Sequence, residues 1–170
     1  DFRRIIFTAN GTESLNLAIH GLLRPGDHVV TSVVDHNSVL RPLRFLAEHR
    51  GVQVAYVSCG GDGIIDPDSV RRALRPNTRL IALVHASNVT GALQPIEDVG
   101  RIAAEHGVFY LVDAAQSLGH LPIDVPRLGA HLFAAPGHKG LLGPAGLGVL
   151  YIAPGCEEHL LPLRQGGTWT

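Results

Sequence analysis

Ile96-Glu97-Asp98-Val99-Gly100-Arg101-Ile102-Ala103-Ala104-Glu105-His106 carries apolar side chains at helical spacing, Gly107 stops the pattern, and Val108-Phe109-Tyr110-Leu111-Val112 follows as an unbroken apolar run. A helix with a single apolar stripe rests one side on a core. A short run that is apolar at every position is a strand covered on both faces. The same alternation extends in both directions. Arg4–Thr8, His28–Val33, Val52–Val57 and Leu80–Val84 read as further strands of this doubly buried kind. Glu13–Leu23, Ser38–Arg50 and Pro67–Leu74 read as helices between them, with Pro25-Gly26, Gly51 and Gly107 as stops.

Strands joined by helical crossovers pair in parallel, with right-handed connections. The expected class is therefore α/β, a three-layer α/β/α arrangement around a mostly parallel mixed sheet. Near the end, His131–Ala134 and Gly148–Ile152 are two strand candidates separated only by the Gly-rich segment Pro136–Gly146. Without a helix between them, they are expected to add to the sheet as an antiparallel pair. No internal repeat, linker or low-complexity stretch interrupts the pattern.

At 170 residues, with 45% hydrophobic and 17% charged residues, the chain has the makings of one well-cored domain. A net charge of −1, with arginines scattered among acids, provides no basic stripe and argues against a nucleic-acid partner. No apolar run approaches a membrane span and no signal pattern opens the chain, so no membrane partner is expected. Cys59 and Cys156 have no framework spacing, which fits a reducing compartment and a cytoplasmic location. Asp1–Asn10 already reads as a strand entering a turn and Gly166–Thr170 ends as if in mid-loop. The chain is accordingly expected to be part of a larger protein, with residues 1–170 forming one domain of it.

In open α/β sheets the ligand sits beyond the carboxyl ends of the strands. Asn10-Gly11-Thr12-Glu13 follows the first strand and opens a helix, whose free N–H groups suit a phosphate, although a plain N-cap has the same appearance. Asp35-His36-Asn37 follows the second, where His36 is either an ordinary loop histidine or a plane for a ring to stack on. Asn88, in Ser87-Asn88-Val89-Thr90-Gly91, offers an amide at the mouth of the sheet, or simply turn chemistry. Asp113 caps a fully apolar strand, a costly place for a carboxylate without a cationic partner.

Lys139 lies in Pro136-Gly137-His138-Lys139-Gly140-Leu141-Leu142-Gly143-Pro144 and is the only lysine among 14 basic residues. Arg cannot lose its proton, whereas a desolvated lysine amine can attack a carbonyl and form a Schiff base. Base-composition drift from Lys to Arg would also leave a lone survivor. Metal binding by the ten histidines is the rival idea, but their spacing shows neither a helical His-x-x-x-His pair nor a compact Cys/His cluster. An amine, a buried acid, a ring-stacking histidine, an amide and a helix N-terminus at one sheet edge are the parts that pyridoxal 5'-phosphate needs.

Five stretches in order, Gly11-Thr12-Glu13-Ser14-Leu15-Asn16, Asp35-His36-Asn37-Ser38-Val39, Ser87–Gly91, Asp113-Ala114-Ala115-Gln116-Ser117 and Gly137–Pro144, resemble the fold-type I pyridoxal phosphate enzymes of aminotransferase class V. The resemblance is closest to the cysteine desulfurase and selenocysteine lyase branch. It implies that the chain is the large, cofactor-binding domain, with an N-terminal segment and a smaller C-terminal domain elsewhere. It further implies a catalytic set of Lys139, His36 and Asp113. Lys139 would form the Schiff base and shuttle a proton, Asp113 would pair with the pyridine nitrogen, and His36 would stack on the ring. Gln116 would hydrogen-bond the phenolic oxygen, and Asn88 would lie near that oxygen or the substrate carboxylate. Gly11, Thr12 and His138 would hold the phosphate, and Thr168 would reach the phosphate of a neighbouring subunit, implying a homodimer.

The reaction so implied takes L-cysteine to L-alanine and leaves sulfur on an enzyme cysteine, from which a sulfur-acceptor protein would collect it. That cysteine lies downstream in the family, so neither Cys59 nor Cys156 is assigned the role. Two departures stand out: Pro136 occupies the place of a phosphate-binding Ser, and Asp35 that of a frequent Glu. The alternatives are a class V aminotransferase that passes the amino group to a keto acid, and a catalytically incomplete cofactor-binding fragment. A nucleotide-binding module is disfavoured because the first turn lacks Gly-x-Gly-x-x-Gly.

Overall fold

The structure, a computed structural model, describes residues 1–165. Seven strands form one sheet: β1 (Ile5–Thr8), β2 (His28–Ser32), β3 (Gln53–Val57), β4 (Thr78–Val84), β5 (Phe109–Asp113), β6 (Leu132–Pro136) and β7 (Gly148–Ile152). Their order across the sheet is β1-β7-β6-β5-β4-β2-β3. β2, β3, β4, β5 and β6 pair in parallel, while β7 is antiparallel to both β6 and β1. Six strands therefore run the same way and β7 alone is reversed. The short Gly-rich connection from β6 to β7 makes the antiparallel addition that its length requires.

The helices are α1 (Gly11–Leu22), α2 (Asn37–Arg50), α3 (Pro67–Ala73), α4 (Ile96–His106) and α5 (Val125–Leu128). Side chains alternate across the strands, so Leu80 and Ala82 pack with α1 and α2 on one face. Ile81 and Leu83 pack with α3, α4 and α5 on the other. This is the expected three-layer α/β/α arrangement. Each fully buried Leu or Ile contributes about 1.5–3 kcal/mol by leaving water, which favours a sheet covered on both sides. Helix ends follow local chemistry. Asn10 caps α1 by accepting from Glu13 N at 2.9 Å, and Gly51 and Gly107 end α2 and α4 at φ +68° and +63°.

Two strand expectations need correction. β1 is an edge strand exposed along most of its length, with Phe7 at 71%, because it has a neighbour on one side only. β3 forms the opposite edge and is only partly covered. α5 has no counterpart in the sequence reading, since four residues are too few for a helical period.

The β2–β4 pairing is short. Its ladder runs from His28 opposite Thr78 to Val30 opposite Ile81 and goes no further. The chain leaves β2 outward to β3 and returns through β4 on the other side, so β2 and β4 flank the point where the winding reverses. In such sheets a crevice opens there, beyond the carboxyl ends of the strands.

Candidate active site

A cavity of about 220 Å³ occupies that crevice. Its walls include Asn10, Gly11 and Thr12 after β1, His36 and Ser38 after β2, and Val84, Ala86 and Asn88 at and after the end of β4. Asp113, Ala115 and Gln116 come from the end of β5, and Pro136, His138 and Lys139 from the end of β6. Every site residue expected from the sequence, apart from Thr168, is on this one surface. Thr168 lies outside the described residues.

Asp113 is the last residue of β5 and is 2% exposed. Its Oδ1 accepts from Ala115 N at 2.9 Å. Burial raises its carboxyl above the ordinary value, against the opposing pull of that hydrogen bond and of His36 and Lys139. A carboxylate held this way gains from a cation placed in the cavity.

Lys139 sits in a tightly folded turn. Gly137 N donates to Leu147 O at 2.7 Å, Gly143 N to Gly137 O at 2.8 Å, and Leu142 N to Lys139 O at 2.9 Å. Leu142 has φ +54°, the sole positive φ outside glycine among the described residues. Among those residues, neither the amine of Lys139 nor the amides of Asn88 and Gln116 have a protein hydrogen-bond partner.

His36 is the N-cap of α2. Its Nδ1 accepts from Ser38 N at 3.1 Å and lies 2.9 Å from Ser38 Oγ, which in turn is 2.8 Å from Thr12 Oγ1. Because Nδ1 is an acceptor, the neutral ring carries its proton on Nε2. This chain of polar contacts ties the first turn of α2 to that of α1. Ser38 is absent from the set expected from the sequence, since its contact with Thr12 joins two helix starts 26 residues apart in the chain.

At the start of α1, Asn10 satisfies Glu13 N, and Asn10 O accepts from Ser14 N at 3.2 Å. The N–H groups of Gly11 and Thr12 find no partner among the described residues. A Cβ on Gly11 would lie 3.1 Å from Pro136 Cδ, so the glycine lets the helix end approach β6 closely. Pro136, which brings neither hydroxyl nor N–H, serves as a wall here. Neither Cys59 nor Cys156 lines the cavity. Cys156 is buried, and burial together with Glu157 pushes its thiol up to about 11. Among the described residues no three His, Cys, Asp or Glu side chains are placed to hold a metal ion, and no helix is long and apolar enough to cross a membrane.

The residues present fit pyridoxal phosphate: a free amine, a buried acid facing the same cavity, and unpaired N–H groups at a helix start. Comparison with known proteins identifies the family. The aminotransferase class-V profile matches residues 1–170. The cysteine desulfurase IscS of Dictyoglomus turgidum is 42% identical over 168 residues, covering 96% of this chain and 42% of that protein. A probable cysteine desulfurase of Methanothermobacter thermautotrophicus is 44% identical over 164 residues, covering 96% and 41%. The apo structure of the cysteine desulfurase from Thermococcus onnurineus NA1 superposes with a TM-score of 0.92 at 37% identity, over 98% of this chain and 42% of that one. The chain thus spans about two fifths of the length of these relatives. With the family profile matching residues 1–170 and the fold of a cysteine desulfurase matching over 98% of the chain, this chain belongs to the aminotransferase class V family.

Proposed function

We propose that residues 1–170 are the pyridoxal phosphate-binding large domain of a cysteine desulfurase-like enzyme, which takes L-cysteine to L-alanine and retains the sulfur on the enzyme. The observation that carries this reading is the meeting of Lys139 and Asp113 on one cavity at the switch point of the sheet. The cysteine desulfurase relatives support the choice of reaction. A reducing, cytoplasmic setting, a homodimer in which Thr168 contributes to the neighbouring site, a sulfur-acceptor protein and a separate small domain complete the proposal.

When bound, pyridoxal phosphate supplies an electron sink for a bond breaking at the substrate Cα. The residues of this chain would hold it and move the proton at the substrate Cα, while the cysteine that takes the sulfur lies outside residues 1–170. Lys139 would hold the cofactor through its amine and would take and return the proton at the substrate Cα. Asp113 holds a positive charge at the pyridine nitrogen. His36 would stack on the ring, and its Nδ1, already committed to Ser38, sets the orientation of the imidazole. Gln116 and Asn88 present amides toward the phenolic oxygen and the substrate carboxylate. The N–H groups of Gly11 and Thr12, with the Thr12 hydroxyl and His138, hold the phosphate at the positive end of α1.

Purified full-length protein should show the yellow absorbance of a lysine-linked cofactor, and Lys139→Ala should abolish it. Retention of that absorbance in the variant contradicts the assignment. With a thiol reductant present to cleave the enzyme-bound persulfide, alanine and sulfide should form from L-cysteine without a keto acid, whereas dependence on a keto acid would identify an aminotransferase. Light scattering should report a dimer, and a monomer would remove the basis for the shared site.

A further inference from the structure

Asp35 has no part in the chemistry above, yet it is the most heavily hydrogen-bonded carboxylate near the cavity. It is 6% exposed, in the turn between β2 and α2. One oxygen, Oδ2, accepts from Ser32 N at 2.7 Å, Ser32 Oγ at 2.6 Å and Thr31 Oγ1 at 3.0 Å. The other, Oδ1, accepts from Val84 N, 49 residues along the chain. The β2–β4 ladder ends at Val30 and Ile81, so the carboxylate makes a connection at the strand ends that the backbone does not. The two ends it joins are those from which His36, Ser38, Val84 and Ala86 reach the cavity.

We infer that Asp35 is a positioning residue: its carboxylate pins Val84 to the β2–α2 turn and thereby sets the spacing between His36 and the β4 wall of the cavity. The value of that spacing to a bound ring rests on the proposed function, while the pin itself does not. The chemistry requires a carboxylate. Two backbone N–H groups, those of Ser32 and Val84, bind opposite oxygens, and a backbone N–H cannot turn into an acceptor. Asn at position 35 would satisfy one of them and oppose the other with its own amide donor, whichever way it turned. A Ser or Thr hydroxyl has a single oxygen, too few to serve both.

The test compares wild-type and Asp35→Asn full-length protein. Hydrogen exchange of the segment 82–88 should quicken by about tenfold, the equivalent of one lost hydrogen bond. Exchange at 28–30 and 79–81, where the ladder is intact, should hold steady. Pyridoxal phosphate affinity should fall by a similar factor of about ten, with an altered visible circular dichroism per bound cofactor. Unchanged exchange at 82–88 together with wild-type dichroism overturns the inference, as does an exchange increase spread evenly along β2 and β4. Should Asp35→Asn not fold, Thr31→Val removes one partner of Oδ2 and should move the same readouts in the same direction by about two- to threefold, and no change overturns the inference. A wild-type protein that never binds pyridoxal phosphate would refute the proposed function and leave the exchange result to judge the pin alone.

Discussion

Gly119 and Gly140 meet backbone to backbone: a Cβ on Gly119 would lie 2.3 Å from the carbonyl carbon and oxygen of Gly140, and a Cβ on Gly140 would lie 2.3 Å from Leu118 O. The contact presses the turn that carries Lys139 onto the loop that follows β5, next to Asp113 and Gln116. Gly140→Ala should therefore displace Lys139 and cost about 1–3 kcal/mol through overpacking. Gly119→Ala adds a left-handed backbone, at φ +88°. Gly146→Ala is the control, since Gly146 has φ +85° with nothing near its missing Cβ, and should cost only the backbone penalty of about 1 kcal/mol. Thermal midpoints and the yellow absorbance check this: Gly140→Ala should lose both stability and colour, and Gly146→Ala should keep its colour.

Asp113→Asn should separate cofactor retention from turnover. The amide oxygen can still accept from Ala115 N, and a neutral side chain removes the burial cost that raises the Asp113 carboxyl. The fold should be at least as stable as wild type. Turnover of L-cysteine should fall by about 100-fold or more, because a neutral group no longer holds a positive charge at the ring, an electrostatic loss of about 2.7 kcal/mol. Steady-state kinetics on cofactor-saturated variant settles it, and a loss under tenfold would disqualify Asp113 from that role.

His36 combines a cap and a plane, and two substitutions pull these apart. Asn is a good N-cap and has no ring, so His36→Asn should keep the unfolding midpoint and weaken pyridoxal phosphate binding. Phe has the ring and no acceptor, so His36→Phe should lose the bond from Ser38 N, with about 0.5–2 kcal/mol of stability, while retaining more of the cofactor affinity. Melting curves and cofactor titrations on the pair should rank in opposite orders. Identical ranking would mean that the ring contributes nothing beyond the cap.

The sheet is legible in the sequence wherever strands are buried on both faces, because an all-apolar run such as Leu80–Val84, bounded by polar turns, fits little besides a covered strand. β1 is where that logic fails. Ile5-Ile6-Phe7 has the composition of a core strand but lies at an edge, and composition does not say how many neighbours a strand has. The cavity is legible because its residues follow strand ends, and strand ends in this class converge. Ser38 and Asn10 are hard to foresee as wall residues because their part depends on how α1 and α2 begin side by side, and Ala86, after β4, carries no polar group to mark it. Asp35 is hidden for a related reason. Its partner Val84 is remote in sequence, and only the divergence of β2 from β4 brings the two together.

Asp35 also sets a pH dependence. Burial raises its carboxyl from 3.8 to about 6 in the folded chain, despite hydrogen bonds from Ser32, Thr31 and Val84 that favour the ionised form. Between those values the folded state binds the proton more tightly than the unfolded state does, so protonation favours folding. The contribution is fully present below about pH 4 and is lost as pH rises through about 6, amounting to about 3 kcal/mol in all. Other carboxylates, such as Glu48 and Glu105, are held low by arginine partners and act in the opposite sense at lower pH. They are common to wild type and Asp35→Asn and cancel in the difference. Denaturant unfolding of both proteins from about pH 4 to pH 7.5 should show the stability of wild type relative to Asp35→Asn falling by about 2–3 kcal/mol as pH rises. A flat difference would mean that the Asp35 carboxyl titrates at its ordinary value, and a rising one would mean that its hydrogen bonds outweigh its burial.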